Sequence, residues 1–117
     1  MKTNELTGTA LDLAVAICEG IRVQTDDDGR LTMRSNLDYW QPSSEWAQGG
    51  TIIERENISI TGTNFPWWEC DNGWYAHIGD RYSHGATPLI AAMRCYVASK
   101  LGDEVEVPEE LLSCAHE

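Results

Sequence analysis

The sequence predicts an α+β domain: a small, mainly antiparallel sheet with two principal helices, residues 9–19 and 88–101, packed on one face. Three observations lead there. Two segments carry apolar residues at helical spacing between clear start and stop signals. The stretch between them holds short β-like runs separated by turn residues. Those runs are grouped between the helices rather than interleaved with them, which favours an antiparallel sheet over a parallel one. A strongly bent small sheet with the helices at its ends is the runner-up. The length of 117 residues suits one domain spanning 1–117, with an acidic tail from about 103. Hydrophobic residues at 42% and charged residues at 23% are ordinary for a globular chain.

In the first helix, Leu11, Ala14, Val15 and Cys18 fall at i, i+3, i+4 and i+7, and Leu13 and Ile17 widen the stripe. Thr7 or Thr9 can cap its start, and Gly20 stands where a left-handed residue ends a helix. Residues 21–25 alternate as a strand, Asp27, Asp28 and Gly29 make a turn, and residues 30–34 return as the second arm of a hairpin. The run 39–46 contains Pro42, Ser43 and Ser44, which favour a turn or a short helix start, and Gly49-Gly50 should break whatever forms there. Residues 51–53 and 57–61 have β character, with Ile58 and Ile60 on one face. Residues 62–86 lack sustained periodicity. A strand is expected near 67–70 and another near 74–78, with Asp71, Asn72 and Gly73 turning between them. The last helix begins at Thr87-Pro88 and stops at Gly102, and it should turn Ile90, Met93, Val97 and Leu101 to the core. Arg94, about 100° around from Met93, could snorkel to a neighbouring surface. Residues 105–107 are β-like, and 108–112 could form one turn.

The formal net charge is -11, from 19 acids and 8 bases. Residues 1–45 hold 8 acids and 4 bases, residues 46–101 hold 5 and 4, and residues 102–117 hold 6 acids and no base. This balance argues against direct nucleic-acid binding and against an anionic membrane surface, both of which need clustered Lys and Arg. No apolar run approaches a membrane span and no export signal is visible, so a cytoplasmic protein is expected. Reduced thiols follow for Cys18, Cys70, Cys95 and Cys114, with Cys18 and Cys95 as small core residues. A zinc site built from Cys70, His77 and His84 lacks any short ligand pair, so no metal is expected.

Three segments are familiar together: MKTNELTGTALDLAVAICEG, PSSEWAQGGTIIERENISI and TPLIAAMRCYVASKLGDEVEVPEEL. In this order they resemble the NinX-like small proteins of lambdoid phages and enterobacterial prophages, from the N-terminus to about Leu111. The resemblance implies a phage or prophage accessory protein acting in the bacterial cytoplasm. It implies an origin rather than a mechanism.

Catalytic motifs are absent: there is no G-x-S-x-G, no phosphate-binding G-x-x-x-x-G-K-[ST], no H-E-x-x-H and no C-x-x-C. His77, Asp80, Arg81 and His84 are close in sequence, but their spacing fixes no mutual geometry. No catalytic residue and no cofactor is therefore expected. Binding is favoured by five Trp and four Tyr against one Phe, since Trp and Tyr join apolar area to a polar handle. The pairs Tyr39-Trp40 and Trp67-Trp68 would point one member each way on a strand. The expected ligand residues are Trp40, Ser43, Ser44, Trp46, Gln48, Arg55, Trp67, Trp68 and Arg94, the two arginines as anion contacts. The first functional reading is a non-catalytic module that sequesters a nucleotide-like small molecule, as a counter-defence protein would. The alternative is an acidic factor or DNA mimic that binds a basic host protein through its acidic loop and tail. Sheet edges or the aromatic pairs could support a homodimer.

Overall fold

A computed structural model describes residues 2–27, 30–34, 38–62 and 73–105. It confirms the α+β class, with three α-helices and five strands in two small antiparallel sheets among the described residues. Helix α1 spans Gly8–Glu19 and buries Leu11, Leu13, Ala14, Val15 and Ala16. Gly20, at φ 70, ends it; the Gly20 N–H donates to the Ile17 carbonyl and the Ile21 N–H to that of Ala16. This pair of bonds is the Schellman closure, which needs the left-handed residue that glycine supplies without strain. Ile17, expected to widen the core stripe, is exposed instead. Strands β1 (Val23–Thr25) and β2 (Leu31–Met33) form the expected hairpin, with Gln24 opposite Thr32.

The expected turn is present at 42–44, but the second helix, α2 (Trp46–Glu56), overturns the expected break at Gly49-Gly50 and the β segment at 51–53. The Glu45 carboxylate caps it by accepting from the Ala47 N–H at 3.4 Å. Gly49 does not break the helix because packing requires a glycine there: a Cβ would lie 2.4 Å from the Pro42 carbonyl oxygen and 2.6 Å from a Leu89 methyl. The stop comes later, at Asn57 in the left-handed region, followed by buried Ile58, whose N–H closes on the Ile53 carbonyl.

The second sheet runs β3 (Ser59–Gly62), β4 (Trp74–Ile78), β5 (Arg81–Gly85), antiparallel throughout. Strand β4 falls where the sequence places it, while β5 was not foreseen. Its inward positions are Ser83 and Gly85, not large hydrophobics, because helix α3 (Pro88–Leu101) lies too close for them. A Cβ on Gly85 would stand 2.7 Å from the Ala91 nitrogen. The expected strand at 67–70, the turn before Gly73 and the acidic tail from 106 lie outside the described residues.

Helix α3 begins as expected, with the Thr87 hydroxyl accepting from the Ile90 N–H at 3.1 Å, and ends at Gly102. It is not a one-sided helix. Leu89 and every residue from 91 to 98 are buried, because the three-stranded sheet covers one side while α1 and α2 pack on others. Leu101, expected in the core, is 38% exposed. The chain start docks against the end of α3, where buried Thr3 donates from its N–H to the Asp103 carbonyl and from its hydroxyl to that of Gly102. Cys95 is fully buried in α3, Cys18 is half-buried, and both are free thiols.

Candidate functional site

The expected ligand residues do not converge on one site. Segment 39–48 is a bracket that holds the chain against α1. Trp40, only 6% exposed, donates from Nε1 to the Asp12 carbonyl at 2.9 Å. The Ser43 N–H donates to the buried Asp12 carboxylate at 2.8 Å. Burial pushes the Asp12 pKa up to about 6, against the opposing pull of the Ser43 hydrogen bonds. Gln48 closes the bracket from α2: its Nε2 donates to the Tyr39 carbonyl and its Oε1 accepts from the Gln41 N–H, each at 2.7 Å. Ser44 and Trp46 face solvent, Trp46 at 54% exposure. Trp67 and Trp68 lie outside the described residues.

Arg55 and Arg94 are both occupied. Arg55 forks onto Glu19 with bonds of 2.9 and 2.6 Å, and its Nε donates to Glu56 at 2.8 Å. The buried Tyr96 hydroxyl donates to the same Glu19 carboxylate, and Lys100 stands 3.8 Å from Glu56. Arg55 holds Glu19 below the ordinary carboxylate range, while burial and then Glu19 push Tyr96 up. This network ties the ends of α1 and α2 to α3. Arg94 does not snorkel: it is buried, donating from Nε to the Leu6 carbonyl at 2.8 Å and from an η nitrogen to the His84 carbonyl at 2.9 Å. His77 and His84 share the face of the sheet turned away from α3, His77 stacked on Tyr82 at 5.1 Å and His84 edge-on to Tyr75 at 6.0 Å. Arg81 turns to Asp103 at 2.9 Å, so the four polar residues between 77 and 84 form no single cluster.

A different pair of arginines lines the candidate site. The Arg34 N–H donates to the Arg22 carbonyl at 3.0 Å, one step beyond the Val23–Met33 pair, so Arg22 and Arg34 stand directly opposite each other. Gly20, Ile21, Arg22, Met33 and Arg34 line an open depression of about 570 Å³ at the end of α1, with both arginines exposed. Among the described residues, neither guanidinium has a hydrogen-bond or ion-pair partner. The other arginines are engaged: Arg30 over the Tyr39 ring, Arg55 with Glu19 and Glu56, Arg81 with Asp103, Arg94 with two carbonyls. Glu19, the nearest acid in sequence to Arg22, is already held by Arg55 and Tyr96. Composition hid this pair. The signal that could have found it is hairpin register, because residues 22 and 34 are equidistant from the turn.

The described residues contain no group of three His, Cys, Asp or Glu side chains able to hold a metal ion, and no helix long and apolar enough to cross a membrane. No curated protein matches the chain. A family model, bacteriophage P22 NinX, matches residues 2–100 and so covers all but the extreme N-terminus and the acidic tail. The chain belongs to the bacteriophage P22 NinX family.

Proposed function

We propose that this phage accessory protein is a non-catalytic binding module that holds a small anionic, nucleotide-like molecule in the host cytoplasm, as a sequestering counter-defence protein would. One observation carries the reading: two opposed arginines, neither paired with an acidic side chain among the described residues, line one open depression. Like charges facing each other across an antiparallel pair cost stability. The chain has a net charge of -11, yet among the described residues no acid is paired with either of these two cations. A bound anion would supply the partner and the bidentate contacts that guanidinium groups make best. The aromatic residues named from the sequence support this reading less, since Trp40 is taken up by the bracket. Native mass spectrometry of the protein recovered from infected cells tests it. A retained small molecule, lost from an Arg22→Gln/Arg34→Gln variant, is the expected result. A ligand-free mass accompanied by salt-sensitive capture of a basic host protein would replace this reading with the acidic-interface one.

A further inference from the structure

We infer that the Arg22–Arg34 pair is a clamp for a terminal phosphate, a monoester or polyphosphate end carrying two charges, and discriminates against singly charged phosphodiesters and carboxylates. The inference rests on the binding reading above and names the ligand class for the same cleft.

The geometry sets the class. One bond, from the Arg34 N–H to the Arg22 carbonyl, carries the hairpin a step past the last ladder pair, Val23–Met33, and sets Arg22 opposite Arg34. Directly opposed residues project to the same face of the ribbon, so two guanidinium forks can converge on one oxyanion centre. One fork satisfies the two oxygens of a carboxylate or the two free oxygens of a phosphodiester. The second fork then faces an anion whose single charge is already met. A terminal phosphate offers three oxygens and close to two negative charges at neutral pH, which matches two cations.

The backbone at the cleft offers an anion no donor. The Gly20 and Ile21 N–H groups both turn back into the helix, onto Ile17 and Ala16. This is a helix C-terminus, whose dipole favours the two cations and opposes an anion, so two full positive charges are needed to hold one there. Recognition falls to the two side chains, whose number then decides the charge selected.

The test uses the full chain and isothermal titration at fixed ionic strength with four probes: a nucleoside 5′-monophosphate, its 3′,5′-cyclic diester, inorganic phosphate and acetate. The monophosphate and inorganic phosphate should bind, the monophosphate at least about tenfold tighter than the cyclic diester, the difference one charge-assisted contact makes. Arg22→Gln and Arg34→Gln should each lose about tenfold for the monophosphate and little for the diester. Arg81→Gln, which removes an exposed pair with Asp103 on another element, should bind as the parent does. Circular dichroism of each variant checks the fold, and the two cleft variants should fold at least as well because they relieve repulsion. Equal binding of monoester and diester overturns the terminal-phosphate inference and leaves the anion-binding reading standing. No binding of any probe by the folded parent chain overturns both.

Discussion

Replacing Asp12 by Asn removes one of the few buried charges in the described residues. At 6% exposure Asp12 is almost wholly enclosed, and its carboxylate accepts one backbone bond, from Ser43. Burial raises its pKa from 3.8 to about 6, so the folded protein holds this proton more tightly than the unfolded chain does. Linkage fixes the sign. The native state is favoured at low pH, stability falls as pH rises from about 4 to about 6, and above that the ionised carboxylate is a constant burden. At 1.36 kcal/mol per pH unit the full burden is ~3 kcal/mol, an upper bound because the surroundings can relax around the charge. Asparagine keeps an oxygen for the Ser43 N–H and carries no charge. The variant should therefore exceed the parent by about 1 kcal/mol at pH 4.5, with the gap widening to at most ~3 kcal/mol at pH 7.5.

Urea denaturation of both proteins across pH 4.5–8 reads this gap directly. Groups common to the two cancel in the difference. Glu19 is the one that matters, since its lowered pKa gives stability that is lost as pH falls, opposite in sense to Asp12. A gap that does not change with pH, or an asparagine variant less stable than the parent at pH 7.5, would refute the argument that burial sets the Asp12 titration.

The adjacent glycines of α2 should respond in opposite directions to alanine. Gly49→Ala gains about 1 kcal/mol of helix propensity but drives a Cβ into the Pro42 carbonyl at 2.4 Å, for a net loss of about 1–2 kcal/mol. Gly50→Ala meets only the Trp46 ring, at 3.6 Å, and should stabilise by up to about 1 kcal/mol; equal effects in thermal unfolding would contradict the packing account. Ser83→Ala deletes a buried hydroxyl that has no hydrogen-bond partner, so it should be neutral or stabilising by about 1 kcal/mol, and a loss of more than that in urea would show that the hydroxyl has a partner in solution.

Much of the scaffold was legible because its signals are local. Gly20, Thr87 and Gly102 mark helix ends by backbone requirements that hold wherever the helix packs. The β1–β2 hairpin and β4 declared themselves by alternation and turn residues. What was missed depends on distance in space. Gly49-Gly50 reads as a breaker until Leu89 and the Pro42 carbonyl are known to occupy the volume a side chain would need. Strand β5 shows no apolar alternation because α3 sits against Ser83 and Gly85. The polar motif at 43–48 looked like ligand chemistry, and residue type alone could not show that Ser43 and Gln48 bond to the protein's own backbone and buried carboxylate.

The net charge raises an apparent objection to an anionic ligand, and its resolution is a matter of range. At physiological salt the screening length is about 8 Å, so exposed acids farther than that from the cleft are largely screened. What an anion would meet on arrival is the local pair, Arg22 and Arg34, set opposite each other just past the hairpin ladder. Arg55 illustrates the contrast: it enters the protein's electrostatics as part of a closed network with Glu19, Glu56 and Tyr96, and has no fork left to offer. An arginine's value as a ligand group is thus decided by whether the fold has already given it a carboxylate. The fold has done so for Arg55 and Arg81 and has given Arg94 carbonyls, while among the described residues Arg22 and Arg34 face each other without one.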